Sequence, residues 1–452
     1  MDSPENLPHP FDPAQDELPP SSKHAFTIDR RKFLKLSGGG LIVAFVLNDF
    51  LSFAGETLPQ ESATAPDGGV SAWIHIDEEG SVRIYTGKVE FGQNIRTSLS
   101  QIVAEELKVP VSSITMVMGD TDLVPYDAGT FGSRTTPQMG TQLRKAAATA
   151  REALIEMAAK NWNTPTTGLT AENGMVLNRA ANKKIGYGAL TKGRQILRSI
   201  SDNVPVIPAT EWKLAGKSVP KVNGRSFITG KHQYVSDMQL PGMLYGKVLR
   251  APSYDAKLAD ANDAKAKAMP GVMVVRDGNF LGVVAPDVRT AGKALQSIDA
   301  KWEEDTGQPS TANIFDYLVK NADGENRRSS SGDTTGNVEE GLTAADFKLA
   351  KTYNINYIAH TPLEPRAAVA EWIDGKLTVW TGTQRPFGVQ DELADIFKLN
   401  KDKVRVIVPD TGSGYGGKHS GEAAIEAARL AKTAQKPVKI VWTREEEFTW
   451  AY

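Results

Sequence analysis

The chain has 452 residues, 40% hydrophobic and 23% charged, which predicts a globular protein of about three domains. A net charge of −2 encodes no general attraction for nucleic acid or for an anionic membrane. The cysteine count is zero, which excludes disulfides, thiol nucleophiles, thiolate zinc sites and iron–sulfur clusters held by this chain alone. The six histidines, His9, His24, His75, His232, His360 and His419, include no pair at i, i+4, so a metal site of the HExxH kind is absent.

Met1–Phe26 is Pro-rich and polar and predicts disorder. Arg30 and Arg31 then precede Phe33-Leu34 and an apolar, Gly-containing run over Leu36–Leu47, the pattern of a twin-arginine export signal. The run is about a dozen residues, short for a membrane span of roughly 20. Small residues at Ser52-Phe53-Ala54 suit a cleavage site, and both cleavage and retention as an anchor stay open.

From Gly69 onward the pattern becomes globular. Ala72–Ile76 and Ser81–Thr86 alternate apolar and polar residues around Glu79-Gly80, which predicts a hairpin. Leu99, Ile102, Val103 and Leu107 share one helical face, with Thr97 as the expected N-cap. A strand follows at Ile114–Met118, then a polar, glycine-punctuated loop over Ala128–Gly140 and a long Ala-rich helix over Thr141–Trp162. Val222–Trp302 reads as a separate unit with strands at Gly242–Leu249, Val272–Arg276 and Phe280–Ala285 and helices at Asp260–Ala268 and Val288–Ile298. Glu303–Glu340 is Ser-, Gly- and Asp-rich and predicts a linker or surface excursion. A third unit begins near Ala350.

The third unit echoes the first. Thr86-Gly87, Gln93, a helix, a strand and Gly119-Asp120-Thr121 are matched by Thr381-Gly382, Gln384, a helix at Val389–Phe397, a strand at Val404–Val408 and Pro409-Asp410-Thr411. The Gln-to-Asp separation is 27 positions in one copy and 26 in the other, which predicts an internal duplication whose two halves face each other across a ligand.

The loop GSGYGGKHS at Gly412–Ser420 is the sharpest motif. It approaches a P-loop, but His419 stands where a Mg²⁺-binding hydroxyl is required. It fits G-x-G-x-x-G, but without the first-strand setting of a dinucleotide fold. What survives is glycine backbone that approaches an oxyanion closely, with a helix N-terminus behind it; a purely structural turn is the other reading.

Taken with His360-Thr361-Pro362-Leu363-Glu364-Pro365, Thr383-Gln384 and PVKIVWTREEEF at Pro437–Phe448, this loop resembles the molybdopterin-binding subunits of the xanthine dehydrogenase family. TGKVEFGQNIRTSLSQIVAEEL and GSRTTPQMG resemble that family's second cofactor-binding domain, and GKHQYVSD with Leu240–Leu244 and Leu249–Pro252 its smaller hammerhead domain. With the paired arginines, the motif order resembles the exported large subunits of isoquinoline 1-oxidoreductases and membrane-bound aldehyde dehydrogenases. The resemblance implies an α+β chain: an N-terminal tail and signal over 1–54, part of the second molybdopterin-binding domain over 55–215, a hammerhead-like α/β domain over 216–303, a linker over 304–345, and the N-terminal part of the first molybdopterin-binding domain over 346–452.

The resemblance also implies site roles. Gln384 reaches the oxo group of a molybdenum held by a pyranopterin, either as molybdopterin or as its cytosine dinucleotide, with no direct protein ligand to the metal. Gly414, Tyr415, Gly416 and Gly417 lie beside the metal. Gly92 and Gln93 match the phosphate segment, and Ser133, Thr135 and Gly140 its second clamp. Tyr415 and His419 line the substrate pocket. The implied reaction is oxidation of aldehydes or N-heterocycles with water as the oxygen source. The implied partners are a small [2Fe-2S] subunit and a cytochrome c. Asn94 and Ser413 replace glycines usual in the family, and the expected glutamate base falls in a segment beyond Tyr452, so the chain reads as truncated. The competing reading is an exported relative that keeps the fold without turnover.

Overall fold

The computed structural model describes residues 39–44, 72–201, 203–322 and 336–451. The paired arginines Arg30 and Arg31, the tail over 1–26 and the candidate cleavage residues 52–54 lie outside the described residues. Among the described residues, helices mix with four sheets, and the chain divides into two units. The larger contains residues up to 249, 263–298 and 360–452; the smaller contains 250–262 and 299–359.

In the larger unit, one sheet is built from Gly40–Ala44 (β1), Ala72–Ile76 (β2), Val82–Thr86 (β3), Ile114–Met118 (β4) and Gln195–Ser199 (β8), in the order β4-β3-β2-β1-β8. The predicted hairpin is present, with Trp73 opposite Tyr85 and Ile76 opposite Val82. The part of the apolar run expected to serve export, Gly40–Ala44, is a strand here, paired antiparallel with β2 and parallel with β8. Leu41, Ile42 and Val43 are buried, and burial of such side chains stabilises by about 1.5–3 kcal/mol each.

Helices Ile95–Leu107 and Thr141–Trp162 pack together, with Leu99, Val103 and Leu107 joining Leu143, Ala146, Ala147, Ala150 and Leu154 in one core. The alanines at i, i+3 and i+4 spacing bury a stripe of the long helix. It ends at Asn163, whose left-handed backbone returns its N–H to the last carbonyls. Thr97 is not the cap: the first helix starts two residues earlier behind Asn94, and the buried Thr97 hydroxyl accepts from the Val222 N–H at 2.9 Å. A three-stranded sheet of Leu169–Glu172 (β5), Met175–Asn178 (β6) and Lys183–Gly186 (β7) completes this part.

The second large sheet joins Leu244–Val248 (β9), Met273–Asp277 (β11) and Phe280–Ala285 (β12) to Ala367–Ile373 (β14), Lys376–Thr381 (β15), Val404–Ile407 (β16) and Val438–Val441 (β17). Its strand order is β11-β12-β9-β17-β14-β15-β16. Helices Pro386–Phe397 and Glu422–Ala434 bury Val389, Leu393, Ala424, Ala427 and Leu430 against it.

The duplication is visible in this topology. In each copy an antiparallel hairpin (β2-β3, β14-β15) feeds a helix and then a strand parallel to the second hairpin strand (β4 on β3, β16 on β15). The two third strands meet end to end: Asp120 bridges Ile407, Val408 N–H donates to Gly119 O at 3.0 Å and Thr121 N–H to Val406 O at 3.0 Å.

The smaller unit holds the antiparallel pair Lys257–Asn262 (β10) and Asp299–Glu303 (β13). Of the predicted helix Asp260–Ala268, only Ala264–Lys267 is helical, and Asp260–Asn262 end β10 instead. Two short exposed helices, Ile314–Lys320 and Val338–Ala344, fall within the stretch expected to be a linker.

Candidate functional site

Three loops of the larger unit meet around Gln384. The first, residues 87–94, leaves β3; the second, 127–134, follows β4; the third, 410–419, follows β16. Lys88, buried, supports the second loop by donating from Nζ to the Asp127 carboxylate at 2.8 Å and to Gly129 O at 2.5 Å. Val89 N–H donates to Thr130 Oγ1 at 3.0 Å, and Thr411 N–H donates to Glu90 O at 2.9 Å. The first loop is thereby bonded to both of the others.

Gln384 completes the junction. Its Nε2 donates to Thr130 O at 2.9 Å while Thr130 N–H donates to Gln384 O at 2.8 Å. Its Oε1 accepts from Gly416 N–H at 3.0 Å and from Lys418 N–H at 3.4 Å, and its own N–H reaches Lys418 O at 2.7 Å. This buried side chain ties the second loop to the third. The structure shows one bond at Nε2, which carries two hydrogens.

The third loop depends on glycine at two positions. A Cβ on Gly414 would lie 2.7 Å from Gln384 Oε1 and 2.8 Å from the Phe91 ring, and one on Gly417 would lie 2.8 Å from His360. Ser413, Tyr415 and Gly416 all have positive φ (82°, 57° and 96°), an uncommon backbone for the first two and one that concentrates at functional sites. Beneath the loop, Lys418 Nζ donates to Glu364 O at 2.6 Å, and Arg366 bonds Gly417 O and the Glu447 carboxylate. Burial pushes the Lys418 ammonium down to about 8 and holds Glu364 above the usual carboxylate range.

Several donors expected to meet an oxyanion are already engaged by carboxylates. Glu90 accepts from the N–H groups of Gly92 (2.8 Å), Asn94 (2.9 Å) and Arg96 (2.9 Å), which caps the helix Ile95–Leu107. Gly412 N–H is taken by Glu364 at 2.5 Å, and Gly421 N–H, at the start of helix Glu422–Ala434, by Glu392 at 2.8 Å. The Gln93 side chain also turns back on its own loop, accepting from Phe91 N–H at 2.6 Å and donating to Val89 O at 3.1 Å. Gly92 and Gln93 thus shape the loop, a local arrangement that residue types alone do not reveal.

Ser133 is exposed with φ 55°, and Thr135 is buried at the start of a π-helical turn, Thr135–Gly140, a distortion frequent at functional sites. Gly140 packs near Ile102, within 3.0 Å of where its Cβ would stand, so it serves helix packing. Tyr415 is 69% exposed, whereas His419 is buried with its ring 5.2 Å from Phe131. Desolvation pushes the His419 imidazole down to about 4, so it is neutral at physiological pH.

The residues that join the loops, Glu90, Thr130, Glu364 and Arg366, are not among those singled out as site residues from sequence. Glu90 carried a signal: a carboxylate shortly before a helix start is a natural cap for its first amides.

Residues 36–230 match one molybdopterin cofactor-binding domain family and residues 321–452 a second. The chain is 30% identical over 421 residues to a nicotinate dehydrogenase subunit of Pseudomonas putida KT2440, across 90% of this chain and 35% of that protein. It is 26% identical over 482 residues to the beta chain of isoquinoline 1-oxidoreductase of Brevundimonas diminuta, across 95% of this chain and 61% of that protein. A solved quinoline 2-oxidoreductase from Pseudomonas putida 86 aligns with 52% of this chain and 35% of its own at 23% identity and a TM-score of 0.42. The paired matches define a chain built on two molybdopterin cofactor-binding domains. The chain belongs to the xanthine dehydrogenase family of molybdopterin-binding proteins, and it spans less than two thirds of the length of the relatives just named.

The loops fit such a group. Glycine at 414 lets the Gln384 carboxamide and the Phe91 ring pack directly against the third loop, and the Gln384 amide is a donor of the kind an oxo-rich ligand accepts.

Proposed function

We propose that this chain forms the loop junction of the large subunit of a molybdenum hydroxylase that oxidises aldehydes or N-heterocycles. The observation that carries the reading is Gln384, which bonds loops from both cofactor-binding domains through one carboxamide. When bound, the molybdenum pyranopterin supplies a two-electron redox centre at which substrate carbon is oxidised with oxygen from water. The chain's own residues then have distinct tasks. Gln384 would hold the cofactor by donating from its second amide N–H. Gly414 and Gly417 let Gln384, Phe91 and His360 pack close against the third loop, and Ser133 and Thr135 are the residues that would hold the cofactor from the end of the second loop. Tyr415 offers an exposed aromatic face to a flat substrate, on a backbone whose left-handed turn points it outward. His419, neutral, backs the third loop against Phe131 and orients substrate through that loop. Lys418, Arg366 and Glu447 keep the loop in place from below.

The nicotinate dehydrogenase and isoquinoline oxidoreductase relatives are each named as one component of a larger enzyme. On the same reading, electrons leave through a small [2Fe-2S] subunit toward a cytochrome c, and the paired arginines send the protein to the periplasm. The substrate class is tested by purifying the full protein with its partner subunit and assaying aldehydes, nicotinate and isoquinoline with an artificial electron acceptor. Turnover of one class is expected, and absence of turnover on all of them in molybdenum-loaded protein contradicts the proposal. For export, replacing Arg30 and Arg31 by Lys is expected to hold the protein in the cytoplasm; unchanged delivery contradicts the twin-arginine assignment.

A further inference from the structure

We propose that Gly40–Ala44 stays in the working protein as an internal strand, so that the apolar run behind the paired arginines is neither cut away as a leader nor held in a bilayer. β1 lies between β2 and β8 in its sheet. It pairs with β2 from Leu41 opposite Ile76 to Ala44 opposite Trp73, and with β8 from Gly40 opposite Gln195 to Ala44 opposite Ser199. Both edges of the strand are therefore spent inside the domain, and among the described residues β8 has no strand neighbour other than β1. Leu41, Ile42 and Val43 are at most 1% exposed, and Leu41 and Val43 belong to the core that contains the helix Thr141–Trp162.

The glycines at the start of the strand fit this sheet in particular. Gly40 has φ +127°, and a Cβ there would lie 2.3 Å from Ile76 O; one on Gly39 would lie 1.9 Å from Glu78 Oε1. Gly40 N–H donates to Arg194 O at 2.7 Å, and Gly39 O lies 3.1 Å from His75 Nε2. An export segment needs only an apolar run. It does not need glycine at position 40, where a side chain would collide with the backbone of the neighbouring strand. Within lipid the same run would have to satisfy its backbone internally, as a helix. Its amides and carbonyls are committed instead to β2 and β8, so the strand and a lipid-embedded segment are mutually exclusive states of one stretch. A cut after Ala54 would take away the strand that connects β8 to the rest of the sheet. The inference stands on the strand pairing and holds in any compartment, so it and the export assignment fail separately.

The test uses the full chain, whose cysteine count is zero. Val43→Cys is introduced, with Glu339→Cys as an exposed control, and the protein recovered from cells is treated with a maleimide and weighed intact. The expected result is a chain that includes residues 40–44 and is released from membranes by a carbonate wash. In the Val43→Cys variant the thiol should label at least about a hundredfold more slowly than in the control until urea is added. A folded protein that begins beyond Ala44, a protein retained in the bilayer after the wash, or equal labelling rates in the two variants overturns the inference. If Val43→Cys does not fold, intact mass and amide exchange of the unsubstituted 40–44 segment decide: fast exchange in the folded protein overturns it, and protection with the mass retained supports it.

Discussion

Thr130 and Gln384 exchange hydrogen bonds in both directions. The Thr130 N–H donates to Gln384 O, and the Gln384 side chain donates to Thr130 O. One residue follows the strand of the first repeat and the other precedes the helix of the second, so the pair fastens the two copies at the point where the family's ligand is expected. Gln384→Ala would leave Thr130 O and Gly416 N–H without this partner, each a loss of about 1–3 kcal/mol if buried. A fall in both stability and molybdenum content is therefore expected, read by urea denaturation and metal analysis. Gln384→Glu keeps the shape but cannot donate to Thr130 O, and should bind less molybdenum than wild type. Full metal content in Gln384→Ala would show that the loops do not depend on this clamp.

The repeats are also fastened by a crossed pair of ion pairs. Arg405 on β16 holds Asp120 of the first copy at 2.9 and 2.6 Å, and Arg96 of the first copy holds Asp410 of the second. Partly buried bidentate pairs of this kind couple measurably. A double-mutant cycle of Asp120→Ala and Arg405→Ala should give a coupling of about 1–2 kcal/mol, measured from urea midpoints. Strict additivity would mean that this ion pair adds nothing to the other bonds and packing that hold the two copies.

Gly414→Ala and Gly92→Ala should separate space from strain. At Gly414 the new methyl meets Gln384 and Phe91, while at Gly92 it meets no described atom within 4 Å and suffers only the positive φ of 91°. Gly414→Ala should lose most bound molybdenum, and Gly92→Ala should lose about 1 kcal/mol of stability with its metal content largely kept. The reverse ranking would move the ligand to the first loop.

Two buried groups make stability depend on pH. His419 has a folded value of about 4 against an ordinary 6.5 because burial disfavours the cation. The unfolded chain therefore binds a proton that the folded chain refuses, and stability is lost as pH falls from 6.5 toward 4. Lys418, at about 8 against 10.5, shifts in the same direction for the same cause, so its buried charge is relieved and stability rises as pH climbs from 8 toward 10.5. His419→Phe should flatten the acid limb and Lys418→Met the alkaline one in melting profiles. An unchanged slope in either variant contradicts the corresponding assignment.

The repeat is legible in the sequence because each copy carries an alternating hairpin and a periodic helix, signals that local sequence holds by itself. Gln384 and the loop Gly414–Gly417 are legible from motif resemblance, but the Thr130 exchange is not, since it joins residues 254 positions apart. Gly40–Ala44 is ambiguous because a short apolar run has the same composition in a core strand and in an export signal. Thr97 loses the cap because Glu90 reaches over the helix start, a contact set by loop curvature and not by the residue at the helix boundary. Gln93 and Gln384 each lie just ahead of a helix, yet the first bonds its own loop and the second spans two. The first copy has more residues between its Thr-Gly pair and the glutamine, which gives its loop the length to fold back on itself.

If the loops joined by Gln384 hold a molybdenum pyranopterin, the group must travel with the folded protein. The most direct measurement is pterin and molybdenum content of the full protein, purified from a host that makes the cofactor, beside Gly414→Ala prepared in the same way. The expected result is about one molybdenum and one pterin per chain in the wild type and a large deficit in Gly414→Ala at similar folded fraction. Folded wild-type protein with neither component above background, or equal content in the two proteins, contradicts it.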